Sequence, residues 1–242
     1  MTTADIGNAV ISCFSFYVIN ATSLAKQSAL NHLATDLVQF NIAVALVSET
    51  WFTSNHNNQF AHIVGYNLIR KDRIRKKGGG LAVYIRNDIV SSMISLSNDY
   101  NIFIEVLWVK CCINNCVYYI AACYHPPKAR YTDEELRTAL ASDIITLSNL
   151  RLSCPSVFII AGDFNSVDTD FLEVDHGLSQ LVIKATHGNN IIDTFFTSRP
   201  DLFQCDVFRS LIKTKHLVAH VSTITESLFK CSARKCQLYD LR

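Results

Sequence analysis

Polar residues fall where apolar runs end. Val10 to Ile19 runs into Asn20, Ile42 to Val47 into Ser48-Glu49-Thr50-Trp51, and Val157 to Ala161 into Gly162-Asp163-Phe164-Asn165. Asp193 opens another apolar run, and Lys213-Thr214-Lys215-His216 precedes a further one. A side chain at a strand end is held rigidly and still reaches solvent, which is the placement reacting groups need. Carboxylates, a carboxamide and an imidazole gathered in this way make a hard, oxygen-rich set. It suits Mg²⁺ or Mn²⁺, with Asn and His donating hydrogen bonds to a phosphate. Each residue alone also has an ordinary structural use: Asn20 as a helix cap, Asp163 as a turn former, His216 as a surface imidazole.

The elements that must position these groups alternate between strand and helix. Val10 to Ile19 is β-branched and aromatic, so it reads as a strand, and Ala21-Thr22-Ser23 open a helical pattern in which Leu30, Leu33, Leu37 and Phe40 share one face. Ile42 to Val47 is a second strand, followed by Leu81 to Ile85. Ile102 to Cys112 and Cys116 to Tyr124 pair across an Asn114-Asn115 turn. Thr132-Asp-Glu-Glu135 is a capping box, and Leu136, Leu140, Ile144 and Leu147 form the buried stripe of the helix it opens, running to about Leu150. Strands are also predicted at Asp193 to Thr197 and Leu217 to Ile224. There is no internal repeat, low-complexity tract or linker, which points to one domain of layered strands and helices.

With 242 residues, 49% of them hydrophobic, and only 8 Gly and 4 Pro, the chain can bury a substantial core and is neither disordered nor collagen-like. The net charge of +1 hides a local excess of Lys and Arg between Arg70 and Lys77, so any polyanion contact must be local. The 9 cysteines are odd in number, and Cys111 adjoins Cys112 in an apolar run, which favours reduced, buried thiols over a disulfide framework. The closest approaches to zinc spacing, Cys112-x3-Cys116 and Cys231-x4-Cys236, lack a matching second pair. No basic residue precedes the apolar stretch from Ala9 to Ile19, which reads as a buried strand and not a leader. No run reaches the ~20 apolar residues of a membrane span, so a soluble intracellular protein is expected.

The order and wording of the motifs carry further. Asn20-Ala-Thr-Ser-Leu-Ala-Lys26, Ser48-Glu49-Thr50-Trp51, Gly78-Gly79-Gly80, Tyr124-His-Pro-Pro127, Gly162-Asp163-Phe164-Asn165, Ile191-Ile192-Asp193 and Thr214-Lys215-His216 occur in this sequence order. The set resembles the endonuclease/exonuclease/phosphatase superfamily. Its Glu-Thr-Trp, Gly-Gly-Gly and Tyr-x-Pro-Pro wording is most similar to the endonuclease domain of LINE-type (non-LTR) retrotransposons, relatives of abasic-site endonucleases. The resemblance spans about residues 10–224. It implies an α/β fold, a four-layered sandwich of two packed, mostly antiparallel sheets flanked by helices. It also implies a single domain over residues 1–242, with a core of about 10–224 and a C-terminal extension at 225–242.

The resemblance further implies a metal-dependent DNA endonuclease that leaves a 3′-hydroxyl to prime reverse transcription, using Mg²⁺ with Mn²⁺ as the alternative. Glu49 becomes the main metal ligand, with Asn20 beside it contacting metal-bound water or phosphate. Asp163 becomes the base that orients and deprotonates water, and Asn165 holds that water or a phosphate oxygen. His216 becomes the donor to the scissile phosphate, with Asp193 fixing its tautomer, and Tyr124 becomes a further phosphate contact. The implied partners are double-stranded DNA and a reverse transcriptase region of the same polyprotein. The isolated domain is expected to be a monomer that acts in the nucleus without a membrane. Arg70, Arg73, Arg75, Lys76 and Lys77, beside the glycine triplet, are candidate DNA contacts because clustered cations gain affinity by releasing DNA counterions; their ordinary reading is a solvated hairpin loop. Thr186 is a weaker candidate near the substrate.

Three positions depart from the family wording. Its last motif reads Ser-Asp-His, whereas Lys215 here puts a cation in the place of the Asp, opposing a metal if it points inward and mattering little if it points to solvent. His220 rivals His216 for the catalytic imidazole but lacks a polar triplet. His187 stands where retroelement relatives often carry Arg. Two other function classes therefore stay open: a nucleic-acid-binding remnant that has lost turnover, and a phosphatase or phosphodiesterase of the same fold. Against the second, Ser166-Val167 follows the Gly-Asp-x-Asn motif where such relatives usually carry an aromatic-Arg pair.

Overall fold

The computed structural model describes residues 14–74, 77–96, 102–150 and 152–224. Residues 10–13 of the first apolar run, Arg75, Lys76, the Cys231-x4-Cys236 pair and the extension at 225–242 lie outside the described residues.

The chain begins with β1 (Ser15–Asn20), α1 (Ala29–Gln39), β2 (Val44–Ser48), β3 (Tyr66–Lys71) and β4 (Leu81–Arg86). It continues through β5 (Val90–Met93), β6 (Glu105–Ile113), β7 (Cys116–Tyr124), α2 (Asp133–Ser148) and β8 (Ser156–Asp163). It ends with α3 (Asp170–Val174), β9 (Ser179–Gln180), β10 (Asp193–Thr197), β11 (Phe203–Phe208) and β12 (Val218–Thr223). These strands make two six-stranded sheets, ordered β11-β12-β1-β2-β4-β3 and β5-β6-β7-β8-β10-β9.

Each sheet is antiparallel except for one central pair, β1 with β2 and β7 with β8. A parallel pair needs a long crossover, and α1 and α2 supply one each. One core lies between the sheets, built from Phe16, Val18, Ile120, Ile159 and Phe195 among others. A second packs α2 on the outer face of its sheet through Leu136, Leu140, Ile144 and Leu147, and a third packs α1 through Leu33 and Leu37. Helix, sheet, sheet, helix is the α/β sandwich that the motifs imply. Among the described residues no helix is long and apolar enough to cross a membrane.

Local chemistry explains the elements. Asn114 and Asn115 both take positive φ (50° and 60°), as a two-residue hairpin between β6 and β7 requires. The capping box closes as predicted: Thr132 Oγ1 accepts from the Glu135 N–H at 3.1 Å, and Glu135 Oε2 accepts from the Thr132 N–H at 2.7 Å. The buried Cys111 thiol is pushed up to about 12 by burial, consistent with an inert core residue.

The predicted early start of α1 is corrected. Residues 21–28 form a loop, because the Asn20 side chain accepts from the Thr22 N–H at 2.9 Å and turns the chain away. Thr22 and Ser23 then take φ of 44° and 89°, and the loop bonds to the segment after β2 through Ser23 N–H to Glu49 O at 2.7 Å. The apolar pattern does not reveal β3, β5, β9 and β11; all four are sheet edges, and the partial burial of such strands blurs the apolar alternation that marks a strand.

Candidate active site

Parallel strands end at the same edge, so the two central pairs deliver their carboxyl ends together: Asn20 lies opposite Ser48, and Tyr124 opposite Asp163. The two-residue period of a strand decides which face each side chain takes. Phe16 and Val18 face the inter-sheet core, which puts Asn20 on that face; Ile120 and Ala122 do the same for Tyr124, Ile159 and Ala161 for Asp163, and Phe195 for Asp193. Four polar groups from two sheets therefore converge at one end of the sandwich, the side where open α/β sheets place ligands.

Asn20 Nδ2 donates to Asp163 Oδ2 at 2.7 Å and so bridges the sheets. Asp163 Oδ1 accepts from the Asn165 N–H at 2.9 Å, with Asn165 held at φ 49° and its amide donating to His125 O at 2.7 Å. Gly162 is required here, because its φ of 146° and its approach to the Cys123 carbonyl leave no room for a Cβ. Asp163 pairs in register with Asp193 of β10, and Asp193 Oδ2 lies 2.8 Å from His216 Nδ1. Thr186, fully buried, accepts from the Ile192 and Asp193 N–H groups through Oγ1 at 3.1 and 3.0 Å.

Glu49 projects from a strained turn with φ 53°, followed by Trp51 at φ 57°. Backbone bonds from Thr50 and Trp51 to Gly80 and Gly79 hold the turn. Its carboxylate accepts from the Tyr124 hydroxyl on Oε1 and from Trp51 Nε1 on Oε2 at 3.0 Å. Burial and the Glu49 hydrogen bond raise the Tyr124 hydroxyl well above its ordinary value, so it stays a donor.

The charges are poised against one another. Burial and the neighbouring Asp193 charge push Asp163 up to about 7, opposed by the Asn20 hydrogen bond and the His216 charge. Burial pulls His216 down, but its hydrogen bond to Asp193 and the charges of Asp193, Asp163 and Glu49 outweigh this and raise it. Asp163, Asp193 and His216 place ligand-type atoms within 4.8 Å of one another, and Asp193 Oδ1 is buried with no hydrogen-bond partner. An orphaned buried carboxylate oxygen beside a second carboxylate fits a cation, and the Glu49 charge is felt at His216 beside them. Asn20 fits a ligand role less well, because its Oδ1 is taken by the Thr22 N–H and hydroxyl.

Two of the candidate DNA contacts, Arg70 and Arg73, are engaged within the protein. Arg70 donates to His56 O at 2.5 Å and pairs with Asp72 at 3.3 Å. Arg73 pairs with the buried Glu105 at 2.5 Å, lies over the Tyr124 ring at 5.3 Å, and rests where a Cβ on Gly79 would stand. The Arg73 guanidinium braces Tyr124, which holds Glu49, since a buried carboxylate attracts a cation more strongly than solvent-screened phosphate does. Lys77 remains exposed. Thr186 is likewise a positioning residue for Asp193, too buried to reach a nucleic acid.

The family model for the Endonuclease/Exonuclease/phosphatase family matches residues 10–204. The chain belongs to this family. Its members are hydrolases acting on phosphodiester bonds. Similar solved structures include the endonuclease domain of TRAS1, a telomere-specific non-LTR retrotransposon, at 15% identity and TM-score 0.65, covering 88% of this chain and 98% of that one. The AP endonuclease LMAP from Leishmania major is similar at 15% identity and TM-score 0.67, covering 87% of each chain. TDP2 of D. rerio, complexed with a single strand DNA product, is similar at 12% identity and TM-score 0.58, covering 87% of this chain and 98% of that one. At such identities the likeness shows the fold alone. No curated protein matches the sequence.

The family match stops before His216, so the place of that residue rests on geometry. His220, its rival, stacks near Phe40 and Phe208, and burial lowers its pKa. His187 lies against the His216 ring with centroids 4.6 Å apart. Lys215 is exposed and lines a neighbouring cavity. The sequence reading gave no role to Trp51, Thr214 or Glu105. Trp51 lies within the Ser48-Glu49-Thr50-Trp51 motif, whereas Glu105 is an isolated acid at a strand start with no pattern around it.

Proposed function

We propose that this family member is a Mg²⁺-dependent endonuclease that nicks double-stranded DNA, breaking the P–O3′ bond to leave a 3′-hydroxyl and a 5′-phosphate. One observation carries the reading: Asp163, poised near 7, shares one end of the sandwich with the Asp193-paired imidazole of His216. Asp163 takes the proton of the attacking water. Asp193 holds Nδ1 of His216, so that Nε2 donates to a non-bridging phosphate oxygen. Asn165 and Asn20 keep the Asp163 carboxylate in place through the bonds described above. Glu49 and Asp193 would hold the divalent ion, which would supply charge neutralisation at the phosphate and the leaving oxygen. Tyr124 and Trp51 fix Glu49.

In the wider setting, the nick primes reverse transcription in the nucleus, alongside a reverse transcriptase region of the same polyprotein. The Glu49-Thr50-Trp51, glycine-triplet and Tyr124-x-Pro126-Pro127 wording supports this part of the reading. The test is conversion of supercoiled plasmid to open circle with Mg²⁺, with EDTA and Glu49→Ala as controls, followed by polymerase extension from the nick. Nicking lost in both controls, with extendable ends, is expected. No EDTA-sensitive nicking by the folded protein, or ends that cannot be extended, overturns the proposal.

A further inference from the structure

Between β11 and β12 the chain forms a short basic loop that is pinned at both ends. At one end Asp36 of α1, only 1% exposed, accepts from the Tyr17 hydroxyl and the Ser210 hydroxyl, each at 2.7 Å, and from the Leu211 N–H at 3.1 Å. At the other, Thr214 Oγ1 donates to Asn20 O at 2.9 Å and lies 3.0 Å from Thr22 Oγ1. Ile212 is buried between them. The loop is thus tied to the same residues that order the catalytic end.

This loop lines a cavity of about 570 Å³ with Arg209, Lys213 and Lys215, and His187 and His216 complete its wall. No acid lines the cavity, and among the described residues no carboxylate lies in ion-pair range of these three cations. Cations gathered on one rigid loop repel one another, so the arrangement favours a bound anion. Because His216 belongs both to this wall and to the Asp163 and Asp193 cluster, an anion in the cavity lies beside the scissile position. Lys215 is also the position at which the chain exchanges the family's Asp for a cation.

We infer that this cavity is a second phosphate subsite, in which Arg209, Lys213 and Lys215 hold a backbone phosphate of the cut strand next to the one at His216. The inference rests on the endonuclease reading. It gives Lys215 a positive role: the cation grips the strand instead of serving the metal.

Binding of a fluorescein-labelled DNA duplex, followed by anisotropy in EDTA across a KCl series, tests it without relying on turnover. The Lys213→Ala/Lys215→Ala variant is expected to bind at least about 10-fold more weakly, with the slope of log K against log salt reduced by about 2. Lys213→Arg/Lys215→Arg restores both. Wild-type affinity and slope in the alanine variant overturn the subsite while leaving nicking to be judged separately. Lysine-dependent DNA binding by a wild-type chain that never nicks supports the subsite and removes the endonuclease reading. Lysine-dependent stabilisation by inorganic phosphate with unchanged DNA binding also overturns it, assigning the cavity to a small phosphate ligand.

Discussion

Asn20 and Asp163 end strands in different sheets, and a 2.7 Å hydrogen bond joins them. That bond ties the two sheets at the point where chemistry is proposed, and it makes the Asp163 geometry depend on both halves of the sandwich. Asn20 is a buried donor with one acceptor for Nδ2, while its own oxygen shapes the following loop.

Asn20→Ala is therefore expected to do two things at once. It removes a buried hydrogen bond, lowering stability by about 1–2 kcal/mol in urea unfolding. It also frees the Asp163 carboxylate, lowering the nicking rate about 10-fold or more. Full activity in a destabilised variant would show that the bridge is only structural.

Asp163 sets a pH signature. Its folded pKa, about 7, lies above its ordinary 3.8, so the folded state binds the proton more tightly than the unfolded one. The contribution is fully present below the unfolded value and is lost as pH rises through about 7. Removing the group by Asp163→Asn should then stabilise the protein more at pH ~8 than at pH ~4.5, by on the order of 2 kcal/mol in EDTA. Thermal unfolding at the two pH values reads this directly. An equal shift at both would contradict the placement of the carboxyl beside Asp193.

The Arg73 and Glu105 pair should behave as a buried brace. Burial raises the Glu105 carboxyl more than Arg73, Gly80 and Lys71 lower it. Glu105→Ala would strand the Arg73 guanidinium and is expected to cost about 3–5 kcal/mol by denaturant unfolding. Gly79→Ala should also destabilise, since the new Cβ displaces that guanidinium and strains the backbone at φ 66°. Wild-type stability in both variants would mean that Arg73 is available for DNA after all.

Tyr124→Phe removes one of the two donors to Glu49 and leaves the ring packed. The fold should be retained, with Tm within a few degrees, while nicking at limiting Mg²⁺ falls about 10-fold and recovers at high Mg²⁺. Loss that no Mg²⁺ concentration restores would instead place the hydroxyl on the phosphate.

Much of this was legible because strands announce their ends. The runs into Asn20, Glu49 and Asp163, and the run opening at Asp193, appear in the structure where the apolar pattern puts them, since a fully buried strand leaves little ambiguity. The side on which each polar group emerges follows from the same alternation. What the sequence concealed is pairing at a distance. Nothing near Arg73 announces Glu105, 32 positions away, so this one arginine of the basic stretch turns inward as a brace. The neighbourhood of Thr186 is likewise legible, but its burial depends on the register of the 186–193 turn. The basic loop at 209–215 is not legible as a surface because distant anchors, Asp36 174 positions from Ser210 and Asn20 opposite Thr214, gather its cations around one cavity.

Asp163 and His216 are proposed to perform the chemistry on a bound DNA strand. Single-turnover nicking of a labelled duplex, with DNA affinity measured on the same preparations, tests it most directly. Asp163→Asn and His216→Ala should each slow nicking by about 10²–10⁴-fold while leaving affinity within about 3-fold of wild type. Cleavage at the wild-type rate by either variant would contradict the account.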